Sequence, residues 1–374
     1  VSEYQCYEFV ALDRPLSAKE MSELRGISTR AEISPTRFWN EYQWGNLKAD
    51  PAKLMERYFD AHLYFANWGT RRLMLRMPKA RVDLKALEPY FVDRHAARLT
   101  STGEHVLLDL GSDTEEPEYD EQSQGSLATL SPLRAELMRG DLRPAYLAWL
   151  LAVAADDLDD DAEEPPVPAG LSELTSAQEA MVEFLRIDVD LVSAAASASA
   201  AVATDEAPFR RWLAALPAKE KDAWLRRAAD DPDLALGGEL LRAFRATTRA
   251  VRPGMLRTVG ELRALAEAER AEREKAEAER ARRTKAQADA ARQQHLTNLA
   301  RDVEGAWSKL EKLVEAGDYD VAVKLAIDLR DLATREATAP AFAQRFEALR
   351  KRQSRRRGFF DRWKRANENN SREW

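Results

Sequence analysis

The sequence predicts an α+β N-terminal domain followed by a mainly α-helical region with a long charged helix and a C-terminal helical hairpin. Three observations carry this. Up to Leu110 the apolar pattern switches repeatedly between period 2 and period 3.6, as alternating strands and helices require. Beyond it, the apolar residues recur only at helical spacing. Between Leu265 and Leu296 there is no Leu, Ile, Val or aromatic residue, only a run dominated by Ala, Glu, Arg and Lys. At 374 residues the chain exceeds what one hydrophobic core organises, so several units are expected.

Residues 1–111 form the expected α+β domain. Tyr4–Leu12 reads as a strand. Ser17 then caps a helix with Glu20 three residues on, the reciprocal capping-box arrangement, and Gly26 ends it. A strand region follows from Ala31 to about Trp44, interrupted at Pro35. Asp50-Pro51 starts a helix, with Asp50 as cap and Pro51 at the first helical position, where its missing N–H costs nothing. His62–Trp68 and Arg71–Met77 are further strands. After a helix around Asp83–Tyr90, a last strand pair, Ala96–Thr100 and His105–Leu110, turns at Gly103.

Residues 112–125 are too acidic to bury and read as a linker, as do the acidic, proline-containing residues 156–170. Between them, 126–155 reads as a helical hairpin that breaks at Gly140. Residues 171–250 suggest a helical array over Thr175–Asp188, Pro208–Leu216, Pro217–Ala229 and Leu234–Arg245. Its expected core is Trp212, Leu213, Leu216, Trp224, Leu225, Leu240, Leu241 and Phe244.

The long helix, 256–301, cannot be held by burial through its alanine-and-charge stretch. Alanine propensity and ion pairs such as Glu279 with Arg283 must hold it, each pair worth about 0.3–0.5 kcal/mol. A rigid solvated spacer is the first reading, and a coiled-coil partner surface the second. Residues 302–353 return to amphipathic periodicity as a helical hairpin, and 354–374 form a basic aromatic tail. Gly317-Asp318-Tyr319-Asp320-Val321-Ala322 resembles the turn of a tetratricopeptide helix pair, which implies a hairpin and no more.

The net charge of -7 argues against a uniformly basic nucleic-acid binder, but it conceals acidic middle segments and a basic C-terminus. One cysteine, Cys6, excludes an intramolecular disulfide and a cysteine-built zinc site, and points to a reducing compartment. The opening residues lack the basic-then-apolar pattern of a secretory signal. The longest apolar run, Tyr146–Ala155, is about half of the ~20 residues that span a bilayer, so no transmembrane helix is expected and the cytoplasm is the natural location.

Catalytic signatures are sparse. There is no nucleophile elbow, phosphate loop, dinucleotide fingerprint or calcium loop, and hence no expected cofactor or metal. The best acid–base candidates are His95 and His105, expected to be neighbours across the last strand pair, with Asp93 and Asp109 nearby. Two surfaces rank above them. Trp39, Tyr42, Trp44, Asn67, Trp68, Arg71 and Arg72 bring together the residue types that dominate interface hot spots, although core packing of a small sheet explains the same pattern. Arg350, Lys351, Arg352, Arg355, Arg356, Arg357, Arg362, Trp363, Lys364 and Arg365 suit phosphate backbones, anionic lipid heads or an acidic protein, or form a solvated tail.

The stretch from Asp50-Pro51 through Tyr64-Phe65-Ala66-Asn67-Trp68-Gly69-Thr70-Arg71-Arg72, with Gly140-Asp141-Leu142-Arg143, Tyr146-Leu147-Ala148-Trp149-Leu150 and the C-terminal hairpins, resembles a group of uncharacterised bacterial proteins. The resemblance implies a bacterial cytoplasmic protein and no particular reaction. The expected role is a non-enzymatic interaction or scaffold protein with a protein partner. The alternatives are binding of nucleic acid or an anionic surface through the basic end, and acid–base chemistry in the N-terminal domain.

Overall fold

The computed structural model describes residues 3–91, 95–114, 125–201, 206–230, 236–248 and 257–370. Contacts divide the chain into two units, Val1–Glu272 and Arg273–Trp374.

The first unit is built on a seven-stranded, wholly antiparallel sheet of order β2-β3-β1-β4-β5-β7-β6. Its strands are β1 (Gln5–Val10), β2 (Glu32–Ser34), β3 (Arg37–Tyr42), β4 (Ala61–Ala66), β5 (Arg71–Pro78), β6 (Ala97–Thr102) and β7 (His105–Ser112). Side chains of a strand alternate between faces, and both faces here are apolar. Tyr7, Phe9, Phe38, Met74 and Leu107 point to one face. It is covered by α1 (Ala18–Ile27) and α2 (Pro51–Arg57), which begin at the expected caps: Ser17 and Glu20 close the capping box, and the Asp50 side chain accepts the Ala52 N–H.

The other face carries Cys6, Leu63, Leu73, Leu75, Val106 and Leu108. After the short helix α3 (Leu84–Leu87), the chain covers this face with α4 (Leu127–Leu130), α5 (Pro132–Met138), α6 (Arg143–Ala154), α7 (Ser176–Phe184) and α8 (Val189–Ala196). Every residue of α6 from Pro144 to Val153 is buried, which explains why that helix is apolar all round. The expected boundaries at 111 and 170 therefore do not separate cores: one cluster runs from Cys6 to Ala266, because a sheet with two apolar faces needs a cover on each.

The second acidic segment is likewise built into this unit. Leu158 is buried, Tyr90 donates its hydroxyl to the Pro166 carbonyl at 2.6 Å, and Arg257 forks onto the buried Glu164 carboxylate at 2.7 and 2.8 Å. Most of the first acidic linker, 115–124, lies outside the described residues.

The expected helical array divides in two. α7 and α8, broken at Arg186 with a φ of 53°, join the sheet cover. The helices α9 (Glu206–Ala215), α10 (Ala218–Asp230) and α11 (Leu236–Thr248) are amphipathic but enclose little. Of the eight core residues expected there, Phe244 is buried, whereas Leu225 is 63% exposed. Helical periodicity identifies an apolar stripe without showing what, if anything, covers it.

α12 (Val259–Leu299) starts inside the first unit's core with Val259, Leu262 and Ala266. Residues 271–291 are then exposed throughout. In the second unit one 3-10 turn, Ala300–Asp302, leads into α13 (Val303–Ala316), followed by α14 (Tyr319–Arg335), α15 (Ala339–Arg352) and α16 (Arg357–Asn370). Their core comprises Trp307, Leu310, Val314, Ala326, Leu329, Leu349 and Phe359. The expected basic tail is thus largely a structural helix, because Phe359, Phe360 and Trp363 repeat at helical spacing and pack against Phe346. No helix among the described residues is long and apolar enough to cross a membrane.

Candidate interaction surface

Register fixes where the aromatic residues emerge. Gln5 stands opposite both Tyr42 and Ala66, so the start of β1 and the ends of β3 and β4 lie at one end of the sheet. The loops leaving β3 and β4 there carry Trp44 and Trp68, which are 82% and 40% exposed. At this end opens a concavity of about 430 Å³ lined by Glu3, Gln5, Gly45, Asn46 and Trp68.

Both loops are fixed from below. The buried Gln5 amide donates to the Gly45 carbonyl at 2.6 Å and to Asn46 Oδ1 at 3.0 Å, while its oxygen accepts the Tyr7 and Tyr64 hydroxyls at 3.0 Å. In the β4–β5 turn, Asn67 Oδ1 accepts the Tyr4 N–H at 2.9 Å. Gly69 holds a φ of 115°, and a Cβ there would stand 2.0 Å from the Thr114 carbonyl oxygen. The two tryptophans are therefore displayed on braced backbone, a geometry that limits the ordering cost of binding.

The other predicted members of this surface divide. Trp39 is half-buried in mid-strand beneath the Arg37 guanidinium, and Tyr42 packs edge-on against Tyr7 while its hydroxyl accepts from Asn40. Arg71 does not belong to the surface: it is 3% exposed and donates to the carbonyls of Phe184 and Glu183, because alternation along β5 turns residue 71 to the face covered by α4–α8. Arg72 lies on the opposite face and forks onto Asp109 at 2.6 and 2.5 Å, which commits that carboxylate.

The acid–base pair is not assembled. β6 pairs with β7 so that Thr102 faces His105, whereas Ala97 faces Leu110; His105 lies beside the hairpin turn and His95 beyond the far end. An antiparallel hairpin brings together residues equidistant from its turn, and these two are not. Asp93 lies outside the described residues. His95 is exposed beside Arg98, and no group of His, Cys, Asp and Glu among the described residues has metal-binding geometry. Burial pushes the Cys6 thiol up to about 12, aided by Glu8, so it is no nucleophile at neutral pH.

The polar groups that sequence reading missed are interior. At the other end of the sheet Asp60 accepts the Leu12 and Asp13 N–H groups at 2.7 and 2.9 Å and the Arg76 guanidinium at 2.7 Å. Burial alone would push its carboxyl up, but these donors overrule it and hold it below the usual range. Arg134 ties this network to α5 through the Arg76 carbonyl and Asp13. His62, stacked 3.9 Å from Phe9, donates from Nδ1 to the Glu8 carbonyl at 2.8 Å, and its buried Nε2 has no partner among the described residues. Isolated Asp and His letters in apolar strands carried no spacing that would have identified them.

In the second unit the basic residues split as well. Arg352 pairs with Glu311 at 2.7 Å, Arg356 donates to the Glu315 carbonyl at 2.7 Å, Arg362 pairs with Asp320, and Trp363 packs 4.7 Å from Phe346. Arg350 lies 3.9 Å from the Glu347 carboxylate. Lys351, Arg355, Arg357, Lys364 and Arg365 are exposed. Compared with known proteins, the chain has no significant match to a family model, a curated protein or a solved structure.

Proposed function

We propose that this is a non-enzymatic interaction protein that holds a protein partner at the sheet end carrying Trp44 and Trp68. The carrying observation is that two exposed tryptophans project from braced loops at one sheet end, where Trp68 and the neighbours of Trp44, Gly45 and Asn46, line a concavity. Tryptophan at such a position is a typical hot spot, worth about 2 kcal/mol or more. Glu3 on the rim and the indole of Trp68 together favour a lysine or arginine of the partner, which would gain both a carboxylate and an aromatic face. The bacterial cytoplasm is the proposed setting, in keeping with a single, buried, free cysteine. The exposed stretch of α12 is proposed as a solvated spacer, with pairing as a coiled coil the second reading.

The test is photo-crosslinking of the full chain in cells with a benzophenone amino acid at position 44, read beside the same label at exposed Leu225. A partner trapped from position 44 alone, and lost on Trp68→Ser, supports the reading. Equal labelling from both positions, or labelling indifferent to Trp68→Ser, rejects it.

A further inference from the structure

The second unit carries a charge distribution that the docking surface of the first does not explain. From Arg350 to Arg365 nine Lys or Arg residues stand against one acid, Asp361, in a chain whose overall charge is -7. These residues are held on the last turn of α15, the connection Gln353–Arg356 and α16, so the charge is gathered at one corner of a helical bundle. Intramolecular pairing takes Arg352 and Arg362. Lys351, Arg355, Arg357 and Arg365 remain exposed, with no carboxylate within 4.0 Å among the described residues.

We infer that this α15–α16 corner binds the phosphate backbone of a nucleic acid without reading its sequence. Two observations select this class of polyanion over an anionic membrane. The apolar side chains next to the charges are committed to the bundle: Phe359 is fully buried, and Phe360 and Trp363 pack on Phe346, so among the described residues of this corner no aromatic stands exposed to insert among acyl chains. The basic groups are mainly arginines, whose planar forks match phosphate oxygens two at a time. The Gln353 amide is engaged by Glu315 at 2.9 Å, and the exposed groups named above are all cationic, so affinity comes from counterion release.

The experiment uses the full chain and a fluorescein-labelled 20-base-pair DNA duplex, followed by anisotropy across a salt series. Wild-type protein binds at low salt, with a log–log salt slope that gains about 0.9 for each phosphate neutralised. The quadruple variant Lys351→Gln/Arg355→Gln/Arg357→Gln/Arg365→Gln removes only exposed groups, and it reduces that slope by about 3 to 4 with an unchanged circular dichroism melt. A control variant, Arg263→Gln in the first unit, binds as wild type. Absence of duplex binding at low salt, a slope shared by wild type and quadruple variant, or binding to phosphatidylserine vesicles but not to duplex each overturns the inference.

Discussion

The Gln5 side-chain amide donates to the Gly45 carbonyl at 2.6 Å, so a residue at the start of β1 sets the conformation of the loop that displays Trp44. Strand register is thereby converted into the placement of an exposed indole. Gln5→Ala leaves the Tyr7 and Tyr64 hydroxyls without their acceptor and the loop without its brace, and should cost about 1–3 kcal/mol. Hydrogen exchange over residues 43–47 should accelerate in the variant. Unchanged exchange there would show that the loop is held independently of Gln5.

Gly69 makes a sharper local test. Its φ of 115° and the 2.0 Å approach of a Cβ to the Thr114 oxygen leave no room for a side chain. Gly69→Ala must displace either the β4–β5 turn or the strand end beyond Ser112, and a loss of about 2 kcal/mol in urea unfolding is expected. Gly103, also at positive φ but with open space around it, should tolerate Ala better. Equal losses at the two positions would mean that backbone conformation alone, and not the close approach, decides.

His62 supplies a pH dependence. Burial, first, and the neighbouring Arg72 push its imidazole down to about 3, whereas an unfolded histidine titrates near 6.5. Between those values the unfolded chain binds the extra proton, so the contribution is fully present above about pH 6.5 and is lost as pH falls toward 3, at about 1.4 kcal/mol per pH unit. His62→Phe keeps the stack on Phe9 and removes the titration. The stability difference between wild type and variant should therefore shift in the variant's favour from pH 7 to pH 4, measured by chemical denaturation. A difference that stays constant over that range would count against a buried neutral imidazole.

Much of the α+β half was legible because its signals are local: the Ser17–Glu20 box, Asp50-Pro51 and the Gly103 turn each act within a few residues. What covers the second sheet face was not, since Leu133, Trp149 and Phe184 share one core with Leu75 and Leu108 across more than a linker, and periodicity carries no address. The same limit split the candidate surface. Trp44 and Trp68 lie at one sheet end by register, which sequence spacing does not contain, and Arg71 and Arg72 differ only in the parity of β5. Glu164 was read as linker because its neighbours are acidic; its partner, Arg257, lies 93 residues away.

Glu164 accepts two hydrogen bonds from Arg257 and the Tyr146 hydroxyl, and burial followed by the Glu164 charge pushes the Tyr146 phenol well up. Glu164→Gln strands the guanidinium in a largely buried site and should cost about 3–5 kcal/mol. Replacing both partners, as Glu164→Leu/Arg257→Met, should cost less than Glu164→Gln alone, because no uncompensated charge remains. A double variant as damaged as the sum of its parts would show the two residues to be energetically independent.

The exposed stretch of α12 separates two accounts of its stability. Residues 271–291 are exposed, and the Glu279–Arg283 and Glu277–Arg273 pairs contribute about 0.3–0.5 kcal/mol each. Alanine propensity must then carry the helix. Replacing Ala276, Ala278 and Ala281 by Gly should remove about 1 kcal/mol at each position. Backbone exchange across 271–291 should rise by about 100-fold, while the far-UV signal of the remaining helices persists. If the triple variant exchanges as slowly as wild type, something other than propensity holds the stretch, and a paired helix from a second copy becomes the better account. Sedimentation of wild type at two concentrations would then show the dimer directly; a monomer at both would leave the solvated spacer as the reading.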